Sequence, residues 1–349
     1  MRPIRLTRRT AMISASAAFL SACKGPEDID RDAPTETAPS WTTGPSLPFA
    51  VQEIYPTSMA SHIHLVGGFI SQGGTITGPT NRHVIFDKDT QTWSEGKPLP
   101  IALHHPQLIA TAPYLWCIGG FASPSEDAVW QMQSGVWRLD TMDDTADWEP
   151  TTSLPVPNAE SVCEQLIDGA IHIAGGRIPS GSSNAVWSDH IDTNHHFRST
   201  TWDGPWMPAA PLPTPRNSAA AGGLFGNWHV VGGRTVSGGN TAVHEVYDPN
   251  EDRWRTAAPM PQAQGGLAAT SALSKLYVFG GEFFENDGGV YSESWVYDAK
   301  TDAWSTLPDM PNPRHGLGAV SFGNEIYVIG GALKVGGSET SNLVEILTI

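Results

Sequence analysis

Cysteine is scarce in this chain: three residues in 349, too few for a disulfide framework. Cys117 and Cys163 each sit inside an apolar, strand-like run, where two buried free thiols are expected rather than a bridge. Basic side chains are also few. Twenty Lys and Arg stand against 36 Asp and Glu, and a chain of that sign repels nucleic acid and anionic lipid headgroups. Nucleic acid is therefore excluded as an expected partner. The apolar stretch from Ala11 to Leu20 is too short to span a bilayer. Ser-His-Asp spacing, a phosphate-cradling glycine loop and a Cys/His metal signature are missing as well, so no metal or cofactor is expected. What the chain does have is 36 Gly, 28 Pro and 13 Trp with 40% hydrophobic residues, the makings of many tight turns around a sizeable core.

The first residues read as targeting information and are set aside before any argument about fold. Arg2, Arg5, Arg8 and Arg9 form a basic start, with Arg8-Arg9 similar to a twin-arginine export signal but without its usual Phe. Leu20-Ser21-Ala22-Cys23 resembles the lipobox of bacterial lipoproteins. The resemblance implies a signal peptide over 1–22, lipidation of Cys23, and an exported protein held at the periplasmic face of a membrane by its lipid alone. The polar, acidic, Pro-containing segment 23–40 suits a flexible tether. Without residues 1–22, which carry four arginines and no acid, 16 basic side chains face 36 acidic ones, a formal charge of −20.

Internal periodicity organises the remainder, 41–349. Apolar runs ending in Gly-Gly recur six times, with first glycines at Gly67, Gly119, Gly175, Gly232, Gly280 and Gly330, spaced by 52, 56, 57, 48 and 50 residues. A strand ending near Asp, a turn and a Trp follow, as in Val246 to Trp254 and Val296 to Trp304; Trp93, Trp148 and Trp206 hold the same place. A Leu-Pro or Met-Pro step opens each unit at Pro48, Pro100, Pro155, Pro213, Pro261 and Pro311. Together these series resemble the kelch repeat. The resemblance implies an all-β fold: a six-bladed kelch propeller, each repeat a four-stranded antiparallel blade. Six doublets need six outer-strand tryptophans, and the last repeat lacks one. Trp41 is the remaining candidate, so the N-terminal strand is expected to join the C-terminal blade and close the ring, leaving few edges and a monomer.

In kelch propellers the segment entering each innermost strand and the residue after each doublet converge on one mouth of the channel. Three residues past each Pro lie Val51, Leu103, Asn158, Arg216, Gln264 and Arg314; the next place holds Gln52, His104, Ala159, Asn217, Gly265 and His315. After the doublets come Phe69, Phe121, Arg177, Arg234, Glu282 and Ala332. Four arginines aimed at one opening of an acidic protein suit carboxylates, and Phe69 and Phe121 suit a sugar ring. The expected ligand is a small polar, anionic carbohydrate or an acidic peptide, bound by Arg177, Arg216, Arg234, Arg314, Asn217, Phe69 and Phe121 with His104, His105 and His315. The other role open to Arg216 and Arg314 is bonding backbone carbonyls or neighbouring acids. His64, His172 and His229 occupy equivalent strand positions and are expected to pack.

Two kelch precedents bear on chemistry. Copper enzymes like galactose oxidase need a Cys-Tyr crosslink on a larger seven-bladed chain, which this sequence does not fit. Bacterial sialic-acid mutarotases resemble it more closely: they are exported six-bladed propellers with a rim Glu as proton-transfer group and an Arg on the substrate carboxylate. Gly280-Gly281-Glu282 resembles the segment carrying that Glu, which assigns Glu282 as the candidate general base. The Arg that follows in that family is replaced by Phe283 to Gly289, so Arg234 or Arg314 would have to substitute. A recognition module is the leading expectation and a sugar mutarotase or epimerase the alternative.

Overall fold

The computed structural model describes residues 38–73, 75–200 and 204–349. The expected signal peptide, the expected lipidation site Cys23 and the expected tether up to residue 37 lie outside them. Among the described residues no helix is long and apolar enough to cross a membrane.

Six four-stranded antiparallel sheets follow one another along the chain. Their innermost strands are Thr57–Met59, Gln107–Thr111, Val162–Gln165, Ala220–Leu224, Ala268–Ala272 and Gly318–Phe322. In the sixth blade the outer strand is Ser40–Thr43, paired antiparallel with Val344–Thr348 so that Trp41 lies opposite Leu347. The ring is thus closed by the beginning of the chain, as the missing tryptophan implied.

No single core fills the molecule. Six apolar clusters each fill one gap between neighbouring blades, and each takes in one outer-strand tryptophan. All six indoles also donate to a carbonyl of the segment leading into their own blade: Trp41 to Pro308, Trp93 to Pro45, Trp148 to Lys97, Trp206 to Thr152, Trp254 to Ala210 and Trp304 to Ala258, at 2.8–3.0 Å. A large plate buried between sheets with its one polar atom satisfied is what tryptophan offers and phenylalanine does not. Cys117 is a buried free thiol in the cluster between blades one and two, and Cys163 is a half-buried free thiol.

Nearer the axis the glycine doublets join blade to blade by backbone alone. The second glycine of each donates to the residue three past the proline of the next blade, from Gly68 to Leu103 (2.8 Å) round to Gly331 and Val51 (2.9 Å). Both glycines of every doublet have positive φ, and a Cβ on Gly68 would meet Val51 and the Gln52 carbonyl at 2.5–2.8 Å. Only glycine satisfies both conditions.

The same junction settles the role of Arg216 and Arg314, and corrects their assignment to the ligand mouth. Each is buried within its own blade. Arg216 Nε donates to Gly232 O, and its other nitrogens to Thr214 O, Val230 O and the buried Glu245; Arg314 repeats the pattern with Gly330 O, Asn312 O, Val328 O and Glu345. Asn158 and Gln264 make the corresponding bond to Gly175 and Gly280. This position braces the doublet.

Histidine pairs brace the sheets. His64 and His83, His172 and His196, and His229 and His244 bond ring to ring at 2.8–3.0 Å. Burial holds His64 and His229 down to about 3 and His83, His196 and His244 to about 4. Thus the packing expected of His64, His172 and His229 takes the form of neutral, hydrogen-bonded pairs.

Three outcomes follow for stability. Deleting residues 40–46, or replacing Trp41 by Ala, removes the closing strand or its anchor; the point mutant should lose about 1–3 kcal/mol in urea unfolding, and an unchanged transition would refute the closure. Arg216→Ala strands the carboxylate of Glu245 and should cost about 3–5 kcal/mol, again read by urea unfolding. Finally, histidines of the unfolded chain take up protons below about 6.5 while the folded pairs resist until 3–4, so stability should fall as pH drops from 6.5 toward 4. Melting temperatures at pH 7.5 and 5 test this, and equal values would contradict neutral pairs.

Candidate functional site

One residue beyond the positions singled out in the repeat comes a series with a conformation of its own. Glu53, His105, Glu160, Ser218, Gly266 and Gly316 all have positive φ, between 49° and 71°. Their amides link blade to blade: Glu53 to the Gly316 carbonyl, His105 to Glu53, Ser218 to Glu160, Gly266 to Ser218 and Gly316 to Gly266, at 2.7–3.1 Å. The chain turns sharply here to enter each innermost strand. Glycine meets the requirement without strain in two blades, whereas Glu, His, Glu and Ser adopt a left-handed backbone in the other four. Glycine at 316 also makes room: a Cβ there would stand 2.8 Å from the Glu53 carboxyl.

Above this ring lies a cavity of about 520 Å³. Its charged lining is Glu53, His105, Glu160, Arg177, Arg234, Glu282, Glu285 and His315, and Phe69, Trp130, Trp187 and Phe284 supply aromatic surface. The position before the ring pairs with the residue after each doublet: Gln52 with Phe69, His104 with Phe121, Ala159 with Arg177, Asn217 with Arg234, Gly265 with Glu282, His315 with Ala332. That register delivers ring carboxylates and post-doublet arginines to one place.

The charges interlock. Arg177 Nε lies 3.0 Å from Glu160, Arg234 Nη1 2.6 Å from Glu282, and His105 Nε2 2.8 Å from Glu53 and 3.9 Å from Glu160. His315 stands between Glu53 (3.6 Å) and Glu282 (3.4 Å). Burial alone would raise the Glu53 carboxyl, but His105, His315 and Arg234 hold it well below the ordinary carboxylate range. Burial likewise opposes ionisation of Glu160, and Arg177, His105 and Arg234 overcome it. Arg234 is kept protonated against its own burial by Glu282, Glu160 and Glu53.

The pairing is incomplete at His315, whose Nδ1 makes no hydrogen bond, and at Arg177. Arg177 is 1% exposed, its guanidinium carbon lies 4.3 Å from the centre of the Trp187 ring, its Nε is ion-paired with Glu160 without a well-directed hydrogen bond, and its Nη1 has no hydrogen-bond partner. A buried guanidinium N–H without an acceptor is costly, and a ligand oxygen in the cavity would relieve it.

Of the residues expected at the mouth, Arg177, Arg234, Glu282, His105, His315 and Phe69 line the cavity. His104, Phe121 and Asn217 do not. His104 is stacked between Phe69 and Phe121, with ring centres 3.8 and 5.0 Å away, and all of its surface is covered. Asn217 donates to Asp192 and accepts from Ser218 Oγ beneath Arg234. These three form a supporting layer. Glu53 and Glu160 were missed because the repeat was read one position short, and the glycines at 266 and 316 in the same register were the available signal. Trp130, Trp187 and Phe284 stand on loops that follow no repeat. Among the described residues no cluster of His, Cys, Asp and Glu has the geometry to hold a metal ion.

Comparison with known proteins agrees with this architecture. The kelch motif is matched at residues 265–311. The chain is 27% identical to Kelch-like protein terF of Aspergillus terreus over 261 residues, 71% of this chain and 55% of that protein. It is 30% identical to human Kelch-like protein 25 over 148 residues, 40% of this chain and 23% of that one. It therefore spans just over half the length of the first relative and matches under a quarter of the second. A solved structure titled "Structure of YjhT" superposes with a TM-score of 0.73 at 15% identity, covering 88% of this chain and 97% of that one. The chain thus carries a kelch motif and has the fold of a six-bladed β-propeller.

Proposed function

We propose that the propeller is a recognition module whose mouth takes a polar ligand bearing a carboxylate, in the first place an acidic sugar. The observation that carries this reading is Arg177, buried under Trp187 with one nitrogen free beside a ligand-sized cavity. A ligand carboxylate on that nitrogen satisfies it. Hydroxyls of the same ligand find acceptors in Glu53, Glu160 and Glu282, and the Trp130, Trp187 and Phe284 rings give a sugar's C–H faces a surface to stack on. On this reading the module is exported and held at the periplasmic face through lipidated Cys23, with 24–40 as tether, and it has no use for nucleic acid.

A catalytic reading has one specific support. Arg234, not Arg314, is the arginine beside Glu282, so it fills the place left by Phe283 to Gly289 in the comparison with sugar mutarotases. Against it, both oxygens of the Glu282 carboxylate are already engaged, Oε1 by Arg234 and Oε2 by the Gly336 amide.

Titration calorimetry with galacturonate, glucuronate and N-acetylneuraminate, set against galactose, tests the proposal. An acidic sugar should bind, neutral galactose should bind more weakly, and Arg177→Gln should weaken the acidic sugar by about 1.5–3 kcal/mol, the worth of a charged hydrogen bond. Binding unchanged in that variant, or no binding by any of the three, would refute it. Anomer exchange on a bound sugar, followed by NMR, separates the readings: acceleration lost in Glu282→Gln marks an enzyme, and no acceleration marks a binder.

A further inference from the structure

The hydrogen-bond chain behind the cavity fixes a protonation state. His104 Nε2 lies 3.0 Å from the carbonyl oxygen of Val129, which can only accept, so that nitrogen carries a hydrogen. His104 is fully buried without a carboxylate contact and is therefore neutral, which leaves its Nδ1 bare. That bare nitrogen is 2.8 Å from His105 Nδ1, so His105 Nδ1 must be the donor. The other nitrogen of His105, Nε2, lies 2.8 Å from Glu53 Oε2 and 3.9 Å from Glu160 Oε1. A bare nitrogen there would face two carboxylates, so it too carries a hydrogen.

We infer that His105 is a standing imidazolium in the floor of the cavity, held so by a relay from Val129 O through His104 on one side and by Glu53 on the other, and that it is the third cation available to an anionic ligand. The groups facing it are Glu53, Glu160 and His104, with Phe69, Phe121 and Trp130 as rings around it; His315 reaches it only across Glu53. The consequence is a floor less negative by one charge. Glu53, Glu160 and Glu282 are matched by Arg177, Arg234 and His105, and Glu285 lies on the same lining. Without the proton on His105 the lining would carry one more negative charge and oppose an incoming carboxylate more strongly. His104 is then a positioning residue, acting on the ligand through His105.

The relay is tested without any ligand, by long-range proton–nitrogen correlation of the histidine rings in the full-length ¹⁵N-labelled chain at pH 7.5. His105 should show two protonated nitrogens and His104 a hydrogen on Nε2 only. In His104→Phe, which keeps a ring between Phe69 and Phe121 but removes the acceptor, His105 should lose one proton at pH 7.5. Should that variant not fold, Glu53→Gln removes the other partner and should release the same proton. A bare nitrogen on His105 in the wild type, or two protons surviving either substitution, overturns the inference. The role in recognition rests on the acidic-sugar reading above and has its own arm: galacturonate should bind wild type equally at pH 6 and 8, and His104→Phe about tenfold more weakly at pH 8 than at pH 6, the loss of one positive charge close to the ligand. An equal loss at both pH values would sink that role. If the rings behave as stated while no galacturonate binds to the wild type, the relay stands and the ligand reading falls.

Discussion

A backbone hydrogen bond that crosses from one blade to the next governs this molecule. At each of six junctions the amide of a left-handed glycine reaches a carbonyl of the neighbouring blade, and the glycine before it lies against that same carbonyl. No side chain can stand in that gap. Everything nearer the rim is then placed by register: once the doublet is pinned, the residue after it is fixed against the residue before the axial turn, and the two deliver their side chains to the same height above the channel. The apolar gaps filled by tryptophan hold the blades side by side, while the glycine junctions set where along the axis they meet.

The cavity floor inherits its chemistry from that geometry. Glu53, His105 and Glu160 occupy a turn that glycine fills elsewhere in the ring, and they keep a backbone conformation that disfavours them. Their charges interlock with those around them: Glu160 pairs with Arg177, and Glu53 with His105. Strain at a position where an unstrained residue is available two blades away, combined with charges packed face to face, is the pattern of a site kept for what it binds rather than for what it stabilises. Arg216 and Arg314 make the contrast. Chemically they are the same as Arg177 and Arg234, yet all three of their nitrogens are engaged inside the blade.

The frame was legible in the sequence because its requirements are local and repeat six times: Gly-Gly, the proline step and the outer tryptophan each answer one steric need, and a missing Trp in the last repeat was enough to point to Trp41. The site was legible in part. Arg177, Arg234 and Glu282 follow the doublets directly and could be counted off. Arg216 and Arg314 misled because spacing cannot distinguish a side chain that points along its own sheet from one that points into the mouth. That difference depends on Glu245 and Glu345, about thirty residues downstream. Glu53 and Glu160 escaped because their position is marked by backbone conformation, which a sequence shows only as glycine in two of its six copies. Trp130, Trp187 and Phe284 sit on the loops between second and third strands, which differ from blade to blade.

The direction in which the closing strand runs decides how the molecule is presented. Ser40 pairs with Thr348, which itself lies opposite Glu325 beside the hairpin turn of the last blade, whereas Thr43 pairs with Glu345 nearer the loops that carry Gly336 and Gly337 over the cavity. The chain therefore joins the wheel from the side remote from its mouth.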